Sequence, residues 1–465
     1  MSAPKISGFA RMEIIMTKDL TEGKPFSLIL KFAVPLLFGL LFQQFYSVVD
    51  TMIVGKILGS DALAAVGSTG SVNFLVIGFC MGICNGFVIP VAQQFGAKKE
   101  TELRRFVANS TWLCILFSVV LTLVTTVFCR VILTVMRTPD DIIGSAYSYI
   151  FIIFAGIPAT FLYNILAGII RSLGDSKTPV FFLALSSIIN IILDIVFIYY
   201  LKTGVAGAAY ATVISQLISG ICCFFFMKKK YQILKITKEE WKFNSHYAMI
   251  LCGMGIPMGL QYSITAIGSV ILQTAVNSLG TVYVSSMTAA SKLSGFFCCP
   301  FDALGSTMAT YGGQNVGAGK LERLGKGLKS CIILGAAYSV IALVIYMLFS
   351  PQLSLLFLDA AETELIANAR LYLLITGVFY FPLALVNIIR FMIQGMGFSG
   401  FAVFSGVFEM IARATVGFGF VPVFGYAAAC FASPAAWILA DAFLIPAYIY
   451  CIQKLKARMN PKTED

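Results

Sequence analysis

The residues best suited to chemistry are acids placed where acids are costly. In QQFYSVVDTMIVGKILG (Gln43–Gly59), Asp50 interrupts a run otherwise fit for lipid, and Asp194, Asp302, Glu409 and Asp441 stand in equally apolar surroundings. An ionised Asp at mid-membrane costs about 3 kcal/mol on insertion scales, so each of the five needs a partner, water or a proton, and each is a functional candidate by default.

Spacing brings some of them together. With a rise of about 1.5 Å per residue, Asp50 lies roughly 9 Å before Lys56 at the outer end of its helix and Asp194 roughly 12 Å before Lys202, while Thr212 reaches about the same level on the returning helix. Asn190 shares the helix face of Asp194 at i, i+4. Two carboxylates, an amide and a hydroxyl meeting at one depth can hold a small cation such as Na⁺ through oxygen ligands, or share a proton. Asp50, Asn190, Asp194 and Thr212 are therefore the candidate cation-coupling set. The plainer alternative is that the two acids only hydrogen-bond neighbouring helices, a role that Ser or Thr would fill at lower cost.

The other polar residues read differently. Glu409 and Arg413 sit at i, i+4 and neutralise each other as a structural ion pair, with substrate contact by Arg413 as the alternative. Gln44 and Tyr149 are further candidates for the substrate path. Asp302 has Lys292 or the central connector as expected partners, and Asp441 has none. The 12 cysteines are scattered among apolar residues and show no zinc spacing, so they read as small buried hydrophobes. Cys80 and Cys84 share a helix face that would suit a soft metal, without a third ligand. His246 reads as an interfacial residue. No metal beyond a coupling Na⁺, and no cofactor, is expected.

The elements that must hold these residues are membrane helices. The 465 residues are 58% hydrophobic and 12% charged, with a mean hydropathy of +0.88, far from a soluble globular composition. Crossing about 30 Å of hydrocarbon takes roughly 20 apolar residues, and twelve such windows recur: 27–54, 63–91, 106–129, 142–170, 179–201 and 205–227, then 247–276, 282–308, 328–349, 365–389, 401–421 and 426–452. Residues 1–26 form a polar leading segment without the features of a signal peptide. Residues 228–246 form a connector carrying six lysines, and 453–465 a tail. With both termini in the cytoplasm, the great majority of the 33 Lys and Arg, Arg390 among them, fall on the inner side, which is the positive-inside pattern. The net charge of +11 thus needs no nucleic acid to explain it.

The chain is written twice. AQQFGAKKETELRR (Ala92–Arg105) returns as GQNVGAGKLERLGK (Gly313–Lys326), Gln93 matching Gln314 and Gly96 matching Gly317. YIFIIFAGIPATFLYNILAGIIRSLG from Tyr149 matches YLLITGVFYFPLALVNIIRFMIQGMG from Tyr372, with Asn164 on Asn387. Two six-helix copies entering and leaving on one side imply bundles related by a pseudo-two-fold axis along the membrane normal, a transporter architecture with the substrate path between the halves. Duplication for packing alone is the alternative. The copies differ at the coupling set: Asp50 matches Ile271 or Leu272, and Asn190 matches Arg413. No nucleophile, base and orienting group recur at one depth, so an enzyme is not expected.

These residues resemble the multidrug and toxic compound extrusion (MATE) transporters, whose superfamily includes lipid-linked oligosaccharide flippases. The resemblance is carried in order by VDTMIVGKILGSDALAAVG (Val49–Gly67), IRSLGDSKTP (Ile170–Pro179), NIILD (Asn190–Asp194), GVAGAAYAT (Gly204–Thr212) and GGQNVGAGKLER (Gly312–Arg323). It implies a multi-pass cell-membrane antiporter, expected here as a monomer, that exports small amphipathic or cationic compounds against H⁺ or Na⁺. Members resembling the DNA-damage-inducible branch build an N-lobe cation site at positions that are Asp50, Asn190, Asp194 and Thr212 here. Another branch uses carboxylates on spans seven and ten, where this chain has none. The second function is flipping of a lipid-linked saccharide, which would call for a more cationic cleft, with Arg413 as the one unshared cation.

Overall fold

A computed structural model describes residues 19–136 and 138–459; parts of the leading segment and of the tail lie outside them. Among the described residues the regular structure is helical: α1 (Pro25–Leu58), α2 (Ser60–Gly96), α3 (Glu100–Val127), the short α4 (Cys129–Val135), α5 (Ile143–Ala155), α6 (Ile157–Ser172), α7 (Lys177–Asp194) and α8 (Val205–Lys230) form the first copy. The second holds α9 (Ser245–Asn277), α10 (Thr281–Gly317), α11 (Leu321–Ser354), α12 (Thr363–Val378), α13 (Tyr380–Gly395), α14 (Gly400–Ala414) and α15 (Val421–Met459). In hydrocarbon a backbone group has no water to bond, so apolar sequence of this length closes its hydrogen bonds within helices.

Among the described residues nine helices are long and apolar enough to cross a membrane, and two bent pairs, α5–α6 at 45° and α12–α13 at 52°, bring the spans to eleven. The twelfth is α10, as long as α2 but less apolar, since it carries Lys292 and Asp302. The bends fall at Gly156 and Phe379, matching points of the two copies. Gly204 and Gly425, with φ of 66° and 64°, open the last span of each copy in the left-handed region that favours glycine.

Two π-helical segments, Ile195–Tyr200 and Thr415–Phe420, continue α7 and α14. The helices before them have 18 and 15 residues, so the copies fall out of register here. Counted from the helix start Asn190 matches Arg413, as the sequence suggests. Counted from the π segment it matches Met410.

The chain forms two compact units. The first holds Phe38–Gly259 with Gly313–Ala318; the second holds Gly23–Leu37, Leu260–Gly312 and the chain from Gly319 on. The first turns of α9 belong to the first unit because glycines let helices touch. Gly82 and Gly86 of α2 face Gly259 and Gly255 of α9, and a Cβ on either would fall 2.6 or 2.5 Å from the opposing Cα. This is small-residue packing four apart on both helices, the device that holds membrane helices together without a hydrophobic effect. In the same unit the duplicated motif meets itself, Gly96 against the Gln314 backbone and Gly317 against that of Gln93. Gln314 is fully buried there, its Oε1 accepting from the Leu20 amide at 2.8 Å and its Nε2 donating to the Ser172 carbonyl at 2.8 Å.

Candidate functional site

In the first unit α1, α2, α5, α6, α7 and α8 enclose a cavity of about 260 Å³, lined by Tyr46, Asp50, Asn73, Tyr149, Asn164 and Asn190 and also by Thr212. Asp194 does not line it. It is the last residue of α7, fully buried where α-helix passes into π-helix, and it lies within hydrogen-bonding and electrostatic reach of Asp50. Such π segments occur often at functional sites because they turn one side chain out of helical register.

The hydrogen bonds around the two acids are one-sided. Thr212 Oγ1 donates to the Ala208 carbonyl at 3.0 Å, and Asn190 Nδ2 donates to Thr212 Oγ1 at 3.4 Å. This uses the donors and aims Asn190 Oδ1 away from them. Asp50 Oδ1, Asn73 Oδ1, Asn190 Oδ1 and both Asp194 oxygens are buried without a donor among the described residues. Two carboxylates side by side are acceptors only, so they pair only through a proton or cation between them. Oxygen ligands of this kind suit a hard cation. Among the described residues no cluster of His, Cys, Asp and Glu suited to a metal ion occurs, and the cysteines are free, Cys80 and Cys84 buried.

The second unit holds a cluster of opposite logic. Arg390 Nη1 donates to Glu409 Oε1 at 2.8 Å and its Nη2 to Asn387 Oδ1 at 2.9 Å, while Arg413 Nη2 donates to Glu409 Oε2 at 3.4 Å. Asn387 Nδ2 donates to Asp302 Oδ1 at 3.4 Å. Asp441, buried on α15, is within electrostatic reach of Arg390 and Glu409. Acids and bases here are neighbours, and Glu409 and Asp302 have cationic or amide donors.

The MatE family profile matches residues 35–196 and again 257–418, once in each copy, starting each time at a proline, Pro35 and Pro257. The chain belongs to the MATE family of transporters. This MATE chain is 31% identical to a Bacillus subtilis protein named as the probable multidrug resistance protein YoeA over 344 residues, 72% of this chain and 74% of that one. Its fold is that of a MATE structure solved with MaL6, at a TM-score of 0.87 and 21% identity over 94% of this chain and 98% of that chain. A MOP superfamily transporter from Pyrococcus furiosus gives 0.86 at 21% identity, over 98% and 99%.

In this MATE protein the four residues of the expected coupling set converge, three on the cavity and Asp194 beside Asp50. Tyr149 lines the same cavity, but Gln44 does not: neighbouring residues point about 100° apart on a helix, and Gln43 faces the cavity instead. Of three expectations for the second unit, one is extended and two are corrected. Glu409 does pair with Arg413, yet its closer partner is Arg390, which is buried in α13 rather than standing among the exposed inner-side cations. Asp302 meets Asn387, and Lys292 is exposed. Arg413 is shared with Glu409, so it is not the free cation that a cationic cleft would need. Sequence reasoning missed Asn73 and used Asn164 only as a repeat marker. The signal was the same as for Asn190, an amide in an apolar run. Asn164 is aimed by its Nδ2 bond to the Thr160 carbonyl at 2.8 Å.

Proposed function

We propose that this MATE transporter is a cation-coupled antiporter that exports small amphipathic or cationic compounds across the cytoplasmic membrane, exchanging them for H⁺ or Na⁺ at the Asp50 cavity. The observation that carries the reading is the set of buried oxygens with no protein donor among the described residues at Asp50, Asn73, Asn190 and Asp194. Such acceptors in low dielectric are costly unless a positive charge joins them. The name of the Bacillus relative, which refers to multidrug resistance, supports drug-like cargo.

In this reading the parts that move are the N-lobe of residues 27–227 and the C-lobe of 247–452, joined by a cytoplasmic connector at 228–246, with both termini cytoplasmic and the protein a monomer. A cation arriving from outside binds Asp50 and Asp194. With the charge neutralised α1 repacks, cargo held against Tyr149 and Gln43 leaves outward, and the opposite face opens to release the cation inside. Each charge moving inward contributes about 2.3 kcal/mol per 100 mV of membrane potential. Purified protein in proteoliposomes, loaded with ethidium and given a pH gradient or, separately, a sodium gradient, tests the reading. Ethidium flux driven by one of the two gradients supports it; flux indifferent to both refutes it. Flipping of a lipid-linked saccharide has no observation in its favour, since Arg413 is engaged by Glu409.

A further inference from the structure

The second unit carries three carboxylates against two guanidinium groups in its central cluster, one negative charge more than those cations neutralise. The contacts identify which acid is left over. Glu409 receives Arg390 at 2.8 Å and Arg413 at 3.4 Å. Asp302 receives Asn387 Nδ2 at 3.4 Å and is exposed rather than buried. Asp441 is 7% exposed, and its Oδ1 is buried with no donor among the described residues. One donor of a residue within its electrostatic reach is equally idle, Arg390 Nε.

The elements packed on α15 around Asp441 are α12, α13, α14 and the π segment after it. From α13 Arg390 and from α14 Glu409 lie within its electrostatic reach, and Arg413, one turn along α14, pairs with Glu409. The π segment, Thr415–Phe420, has no ionisable residue. Among the described residues α12 meets α15 at Tyr426, whose hydroxyl donates to the Asn368 carbonyl at 3.3 Å, and brings no charged group to Asp441.

We propose that Asp441 is a second proton-exchange site of this transporter, located in the C-terminal unit and separate from the Asp50 cavity. Sodium does not suit it, because a hard cation needs several free oxygens and is repelled by the guanidinium groups that occupy those of Glu409. A proton needs one oxygen. When Asp441 takes a proton from water as an O–H bond, two cations face two acids and the cluster is balanced. When that proton returns to water, the bare carboxylate competes with Glu409 for Arg390, whose free Nε–H is the available donor. Arg390 therefore has two partners between which protonation chooses, and α15 tightens or loosens against α13 with the choice.

Infrared difference spectroscopy on the full-length protein in detergent, titrated with acid and base in the absence of any cargo, tests this apart from the reading of the Asp50 cavity. In the Asp50→Asn, Asp194→Asn double variant, which removes both acids of the first site, the band of a protonated buried carboxyl should be present, and it should vanish when Asp441→Asn is added. Should D441N fail to fold, Asp441→Glu should shift the band instead of removing it. A band unchanged in either Asp441 variant overturns the proposal. So does a band abolished by replacing choline with sodium at constant pH in the Asp50→Asn, Asp194→Asn double variant, where both acids of the first site are gone. Loss of the band in D441N with its persistence in sodium is the supporting result.

Discussion

The two units solve the same physical problem, charge buried among apolar helices, in opposite ways. In the first, Asp50 and Asp194 lie together with amide and hydroxyl oxygens, and among the described residues no cationic side chain bonds the buried oxygens of either. In the second, Glu409 is held between Arg390 and Arg413. Duplication gave both the same starting framework: Asn164 and Asn387 are repeat partners, one aimed at the cavity, the other bridging Asp302 and Arg390. What differs is where the compensating charge comes from. Glu409 carries its counter-charges within its own unit and is held by them, whereas Asp50 and Asp194 must borrow a positive charge, and a borrowed charge can be returned.

The largest effect that would break this contrast lies in the first unit. Asp50→Asn should abolish gradient-driven ethidium flux in proteoliposomes while leaving the thermal unfolding midpoint in detergent near that of the wild type; wild-type flux would sink the coupling role. Glu409→Gln should do the reverse. Removing one partner of a buried ion pair leaves uncompensated charge and typically costs about 3–5 kcal/mol, so this variant should unfold at a clearly lower temperature. If E409Q is as stable as the wild type, the Arg390–Glu409–Arg413 pairing does not hold the second unit as described. Asn73→Ala removes one neutral oxygen from the cavity. Since a hydrogen bond or ligand to a charged group is worth about 1.5–3 kcal/mol, the apparent affinity for the coupling ion should fall about tenfold or more, with the maximal rate retained. Unchanged affinity would remove Asn73 from the site. Lys292→Ala, at an exposed position, should shift stability by no more than about 0.5 kcal/mol, and a larger loss would restore the Lys292–Asp302 pairing in place of the Asn387–Asp302 contact.

Much of this is legible in the chain's own order of residues. The twelve spans, the duplication and the shared depth of four polar residues all follow from short-range regularities: apolar length, a repeated motif and a rise per residue fixed by helix geometry. Depth along a helix is therefore nearly as good as a coordinate, and Asp50, Asn190, Asp194 and Thr212 can be put at one level. Rotation about the helix axis is less legible, because a step of one residue turns the side chain by about 100°. That is why Gln43 faces the cavity and Gln44 does not.

The sequence by itself determined that the chain fills a membrane with two copies of six helices, and that a few acids inside them need a positive partner. Tertiary structure alone decided which partner each acid has. Arg390 reads as an inner-side charge until α13 and α14 bring it 2.8 Å from Glu409, nineteen positions along the chain, and Asn73 is a stray amide until α2 turns it toward the cavity that Asp50 lines. The reason is physical: burial and periodicity are carried by neighbours in sequence, but the compensation of a buried charge depends on distances between helices, which packing fixes and no local pattern records.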